Sequence, residues 1–118
     1  EGKMLRDFTY IDDIVDGIEK LIPNAPNEIS NSYSSSTAPH KIYNIGNNNP
    51  VSLNKFIEII ENLCGKKAKK NLLPMQPGDV QTTYADIDDF MDITGFKPST
   101  KIGDGLKKFY EWFIEYKN

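Results

Sequence analysis

Leu5-Arg6-Asp7-Phe8-Thr9-Tyr10-Ile11-Asp12-Asp13-Ile14-Val15 is the stretch on which the fold of this chain turns. Residues 5–9 read as a short strand or extended lead-in. From there Ile11, Ile14, Val15, Ile18, Leu21 and Ile22 recur at the three- and four-residue spacing of one helix face. Thr9 followed by Asp12 resembles a capping box and puts an acid in the first turn, where unpaired N–H groups favour negative charge. Pro23 stops the helix, because its ring clashes with the preceding turn.

Working outward, residues 24–40 form a polar loop rich in Ser and Asn with no periodicity, read as mobile. Lys41-Ile-Tyr-Asn-Ile45 reads as a buried strand ending at Gly46, and Asn47-Asn-Asn-Pro50 as a turn. Ser52 caps a second helix that carries Leu53, Phe56, Ile57, Ile60, Leu63 and Cys64 on one face and stops at Gly65. The basic run Lys66–Lys70 leads into an exposed strand at Asn71-Leu-Leu-Pro74, and Gln76-Pro-Gly-Asp79 is a tight turn. Asp86 caps a short third helix with Ile87, Phe90 and Met91, ending at Gly95. A last helix, from about Gly103, aligns Leu106, Phe109, Phe113 and Tyr116 as a core stripe, with Tyr110 and Trp112 beside it. The expected class is α/β: one small mixed domain of about four helices and two or three short strands, too small a sheet for a complete doubly wound fold.

Composition fits one wet globular domain. The chain has 118 residues, 38% hydrophobic, 26% charged and 11% aromatic, with mean hydropathy −0.52. No apolar run approaches the ~20 residues of a membrane span, so no membrane partner is expected. A net charge of −3 and a pI near 5.1 argue against a nucleic-acid face. One cysteine, Cys64, and no signal-peptide layout point to a reducing cytoplasm. Glu1, in place of Met, reads as a processed start or a piece of a longer protein.

Catalytic signatures are missing. No GxGxxG follows a strand; Gly103-Asp-Gly105 has two glycines at the right spacing, but Lys108 occupies the third position. No Tyr precedes a Lys by four residues, and no Gly-x-Ser-x-Gly occurs. His40 reads as a loop histidine and Cys64 as a small core residue. The acids Asp12, Asp13, Asp16 and Glu19, and Asp88, Asp89 and Asp92, read as solvated or first-turn charges rather than a metal site. Arg6 is the only arginine among 14 basic residues. On chemistry alone, a surface pair with Asp7 or Asp13 outweighs a ligand role for it.

Five matches change that balance. Arg6-Asp-Phe-Thr-Tyr-Ile-Asp-Asp-Ile-Val15, Tyr43-Asn-Ile-Gly46, Leu73-Pro-Met-Gln-Pro-Gly-Asp79, Thr83-Tyr-Ala-Asp86 and Thr94-Gly-Phe-Lys-Pro98 occur in one order and spacing. Together they resemble the C-terminal portion of extended short-chain dehydrogenase/reductases that act on nucleotide sugars, most of all the UDP-glucuronate 4-epimerase type. Gln76 stands where UDP-galactose 4-epimerases carry Arg, which favours the glucuronate type. Gln81 stands where these sequences usually carry Pro, and the 24–40 loop is longer and more polar than typical.

The resemblance implies that residues 1–118 are the substrate-binding lobe of a Rossmann-type enzyme whose N-terminal NAD-binding domain, with its Tyr-x-x-x-Lys pair, is absent here. It implies NAD as cofactor of the full-length protein and none bound by this chain, no catalytic residue or metal, and a UDP-sugar as ligand. Arg6 would then meet the diphosphate, whose oxygens suit the donor fork of a guanidinium. Gln76 and Asp79 would meet the ribose hydroxyls from a bend stiffened by Pro77 and Gly78. The implied activity is interconversion of UDP-glucuronate and UDP-galacturonate for surface-polysaccharide precursors, the chain alone being inactive. A 4,6-dehydratase or decarboxylase fragment and a free-standing, non-catalytic nucleotide-sugar binding module are the other readings. The missing Rossmann domain is the expected partner, and the surface left bare by its absence predicts self-association.

Overall fold

The structure, a computed structural model, describes residues 2–26 and 39–117; most of the loop read at 24–40 lies outside them. The elements run β1 (Leu5–Arg6), α1 (Ile11–Leu21), a 3-10 turn (Ile22–Asn24), β2 (Val51–Ser52), α2 (Leu53–Cys64), α3 (Asp88–Thr94) and α4 (Ile102–Lys117). Four helices around a very small sheet match the expected class.

The organising strand is β1, which lies between two neighbours. On one side it pairs antiparallel with β2, Leu5 opposite Ser52 and Arg6 opposite Val51. On the other, Leu5 bridges Thr82 in parallel: its N–H donates to the Gln81 carbonyl at 2.9 Å, and its carbonyl accepts from Thr83 N–H at 3.1 Å. The β2–α2 junction follows from Ser52, whose hydroxyl accepts from Lys55 N–H at 3.2 Å. Gly65 closes α2 in the left-handed conformation.

Two packing nuclei hold the helices. In the first, Phe90 of α3 is fully buried against α1 and Ile87 is fully buried at the start of α3, with Phe96 edge-on to Phe90 at 6.4 Å. Gly17 permits this approach, since a Cβ there would lie 3.0 Å from Phe90 Cζ. In the second nucleus Phe8 stacks on Phe56 at 4.5 Å, fastening the chain after β1 to α2.

Several expectations fail in an instructive way. Residues 41–45 form no strand, and Ile42 is 81% exposed. Residues 71–74 are likewise not a strand. The hydrophobic run is real in both, but the neighbouring backbone that would complete a ladder is not supplied by the described residues. The α4 stripe is not core: Phe109, Phe113 and Tyr116 are 55%, 38% and 75% exposed, because α2 covers only one edge of the helix. Thr9 does not cap α1; its hydroxyl accepts from Asn47 N–H at 3.1 Å instead.

Candidate functional site

Arg6 sits half-buried on β1, held by the register of that strand with β2 and with residues 81–83. Its Nη1 donates to the Leu5 carbonyl at 2.8 Å and reaches the Gln81 carbonyl at 3.4 Å. Neither Asp7 nor Asp13 pairs with it, and among the described residues Nε and Nη2 have no acceptor. A guanidinium with donors to spare is what an anionic ligand would need.

The turn 76–79 comes directly before the segment that flanks β1. Asp79 N–H donates to the Gln76 carbonyl at 3.1 Å, and Gly78 takes φ +90°, which a side chain would resist. Gln76 Nε2 donates to the Pro74 carbonyl at 3.1 Å, while the exposed Asp79 carboxylate accepts nothing among the described residues. The fold therefore brings Arg6 to Gln81, two residues beyond Asp79. No hydrogen bond or ion pair joins Arg6 directly to Gln76 or Asp79.

Asp7 and Asp13 have structural functions that the sequence reading missed. The Asp7 carboxylate accepts from Asn48 N–H at 3.0 Å, Asn49 N–H at 3.3 Å and Ala85 N–H at 3.1 Å. Its own N–H donates to Thr83 Oγ1 at 3.0 Å. Gly46 must be glycine here, since a Cβ would collide with the Ala85 Cβ. Asp13, read as part of a solvated face, is buried at 7% exposure and accepts from Ser99 N–H, Thr100 N–H and the Thr100 hydroxyl at 3.1, 2.8 and 2.9 Å. Nothing local marks it, since Asp12 precedes it and Asp16 follows within a turn, and its donors lie 86 and 87 residues away.

The remaining charged groups are taken up by structural pairs. Glu61, buried on α2, holds Lys67 at 2.8 Å, Lys70 at 3.4 Å and Ala68 N–H at 3.1 Å. The Lys67 ammonium and the Ala68 N–H hold its carboxyl down to about 2. Two members of the 66–70 run are thus committed to an acid. Asp89 pairs with Lys41 at 3.1 Å and Asp12 with Lys108 at 3.5 Å; no metal-binding cluster forms among the described residues. A cavity of about 240 Å³ between Phe8, Tyr10, Phe56, Ile102 and Leu106 includes none of Arg6, Gln76 or Asp79. Gly103 and Gly105 lie in the first turn of α4 after a segment that is not a strand, and Gly105 packs on Tyr10, so they do not fit NAD. No described helix is long and apolar enough to cross a membrane.

Over nearly its whole length the chain is similar to a portion of extended short-chain dehydrogenase/reductase epimerases, whose structures are of Rossmann type. It is 51% identical to Protein CapI of Staphylococcus aureus over 98% of this chain and 36% of that protein. It is 42% identical to a probable UDP-glucuronate 4-epimerase of Rhizobium meliloti over 96% of this chain and 35% of that protein. Among solved structures, UDP-glucuronic acid 4-epimerase from Bacillus cereus, in complex with UDP-glucuronic acid and NAD, superposes with a TM-score of 0.77 at 28% identity, covering 98% of this chain and 34% of the other. No protein-family model matches. The chain spans about a third of the length of these relatives.

Proposed function

We propose that residues 1–118 form the UDP-sugar-binding portion of an NAD-dependent UDP-glucuronate 4-epimerase, Arg6 meeting the diphosphate and Gln76 and Asp79 the ribose. The observation that carries this reading is the likeness to such epimerases over nearly the whole chain, combined with a guanidinium that keeps donors to spare beside the segment that leaves the Gln76–Asp79 turn. NAD and the hydride and proton chemistry belong to the other two-thirds that the relatives possess. The missing portion is the partner we assign to the exposed apolar faces, and the cytoplasm, where sugar nucleotides for surface polysaccharides are made, is the compartment.

The test compares the chain alone with the chain joined to its upstream coding sequence, both given UDP-glucuronate. The longer protein is expected to form UDP-galacturonate, and the chain alone to form none. Loss of water or carbon dioxide from the sugar by the longer protein would replace the epimerase reading with a dehydratase or a decarboxylase. Turnover by the pure chain would overturn the assignment of the chemistry to the missing portion.

A further inference from the structure

Asp7 stands next to Arg6, yet it makes no ion pair with it and spends its carboxylate on backbone. It accepts from Asn48, Asn49 and Ala85 N–H, which lie 41, 42 and 78 residues away in sequence. Its own N–H is tied to Thr83 Oγ1. Three separate pieces of chain therefore converge on one residue: the strand that bears Arg6, the turn after Gly46, and the segment that descends from the Gln76–Asp79 turn. The last tie matters most. Leu5 fixes residues 81–83 to β1 on one side of Arg6 through two backbone bonds, and Asp7 fixes Thr83 and Ala85 on the other. Arg6 is thus bracketed against the segment that follows Asp79.

We infer that Asp7 is a positioning residue for diphosphate recognition, holding Arg6 in register with the 79–85 segment while its carboxylate touches no ligand. This rests on the UDP-site reading above. A neutral Asn at this position keeps one acceptor but turns an NH₂ group toward donors that need an oxygen, so the clamp loosens. Thr83→Val removes the hydroxyl that the Asp7 N–H uses and leaves the carboxylate in place.

The test measures affinities for UDP and for uridine, which lacks the diphosphate, using the epimerase-length protein. Arg6→Ala is expected to weaken UDP by about 10- to 150-fold and to leave uridine nearly unchanged. Asp7→Asn should weaken UDP by about tenfold or more with uridine nearly unchanged, Asp7→Glu should restore part of the loss, and Thr83→Val should act in the same direction. In the Arg6→Ala background, Asp7→Asn should add little, because a residue that acts through Arg6 has nothing left to position. Equal weakening of UDP and uridine by Asp7→Asn, or full additivity with Arg6→Ala, overturns the positioning role and leaves a merely structural one. If Asp7→Asn misfolds, Thr83→Val decides by the same two criteria. If Arg6→Ala leaves UDP binding intact, the site reading itself fails and the positioning inference falls with it.

Discussion

Two neighbouring acids on α1 show how little a charge's sequence position says about its duty. Asp12 and Asp13 are adjacent, but Asp12 is exposed and paired with Lys108, whereas Asp13 is buried and holds the backbone that begins α4. Its three accepted bonds satisfy donors that the segment before α4 cannot pair by itself, since Pro98 and the following turn have no helix or strand partner. Asp13→Ala leaves those donors unpaired at a cost of roughly 1–3 kcal/mol. Urea denaturation should show a clear fall in the midpoint for Asp13→Ala and almost none for Asp12→Ala; equal effects would contradict the clamp. At the ligand end, Arg6→Lys should recover only part of what Arg6→Ala loses in UDP affinity, as an ammonium cannot reproduce the guanidinium fork.

At the scale of elements, the C-terminal end of α2 is secured by one acid. Glu61 gathers Lys67, Lys70 and the Ala68 N–H, so the chain after Gly65 folds back along the helix. Its folded value of about 2 lies below the ordinary 4.5. The stabilisation is therefore complete above pH 4.5 and is lost as pH falls through 2. Amide resonances of residues 66–68 should report release of this segment within that window, ahead of the α1–α3 nucleus, and Glu61→Gln should release it at neutral pH. Helices of this kind were legible in the sequence because their apolar spacing and stop signals are local: Ser52, Gly65 and Gly95 act where they were expected to act. Arg6 was legible as a candidate through the motif it opens, since its being the only arginine left a surface ion pair as the stronger reading. Strand pairing was not, because β1 finds its neighbours at residues 51–52 and 81–83, and nothing in Lys41–Ile45 reveals that its ladder partner must come from elsewhere. Asp7 escaped notice for the same reason: its partners are backbone N–H groups, which every residue but proline has.

On the scale of the whole molecule, the described residues leave several apolar faces open. The open faces are apolar. Ile11, Val15 and Ile18 on α1 are about half exposed or more, as are Phe109 and Trp112 on α4 and Leu72, Leu73 and Val80 around the Gln76–Asp79 turn. Exposed apolar patches beyond a few hundred square ångströms seek cover. In the proposed enzyme the missing portion covers the faces beside the site; in the isolated chain only a second copy is available. The isolated chain is therefore expected to associate reversibly, with sedimentation giving a weight-average mass that rises with concentration, and joining it to the upstream portion should suppress the part of that association that runs through the shared faces. Salt separates the mechanisms, because association by apolar faces persists or strengthens as ionic strength rises, whereas pairing of surface charges fades. A strictly monomeric chain at all concentrations, with a scattering radius near 13.5 Å, would mean that the exposed faces fold onto one another and need no partner.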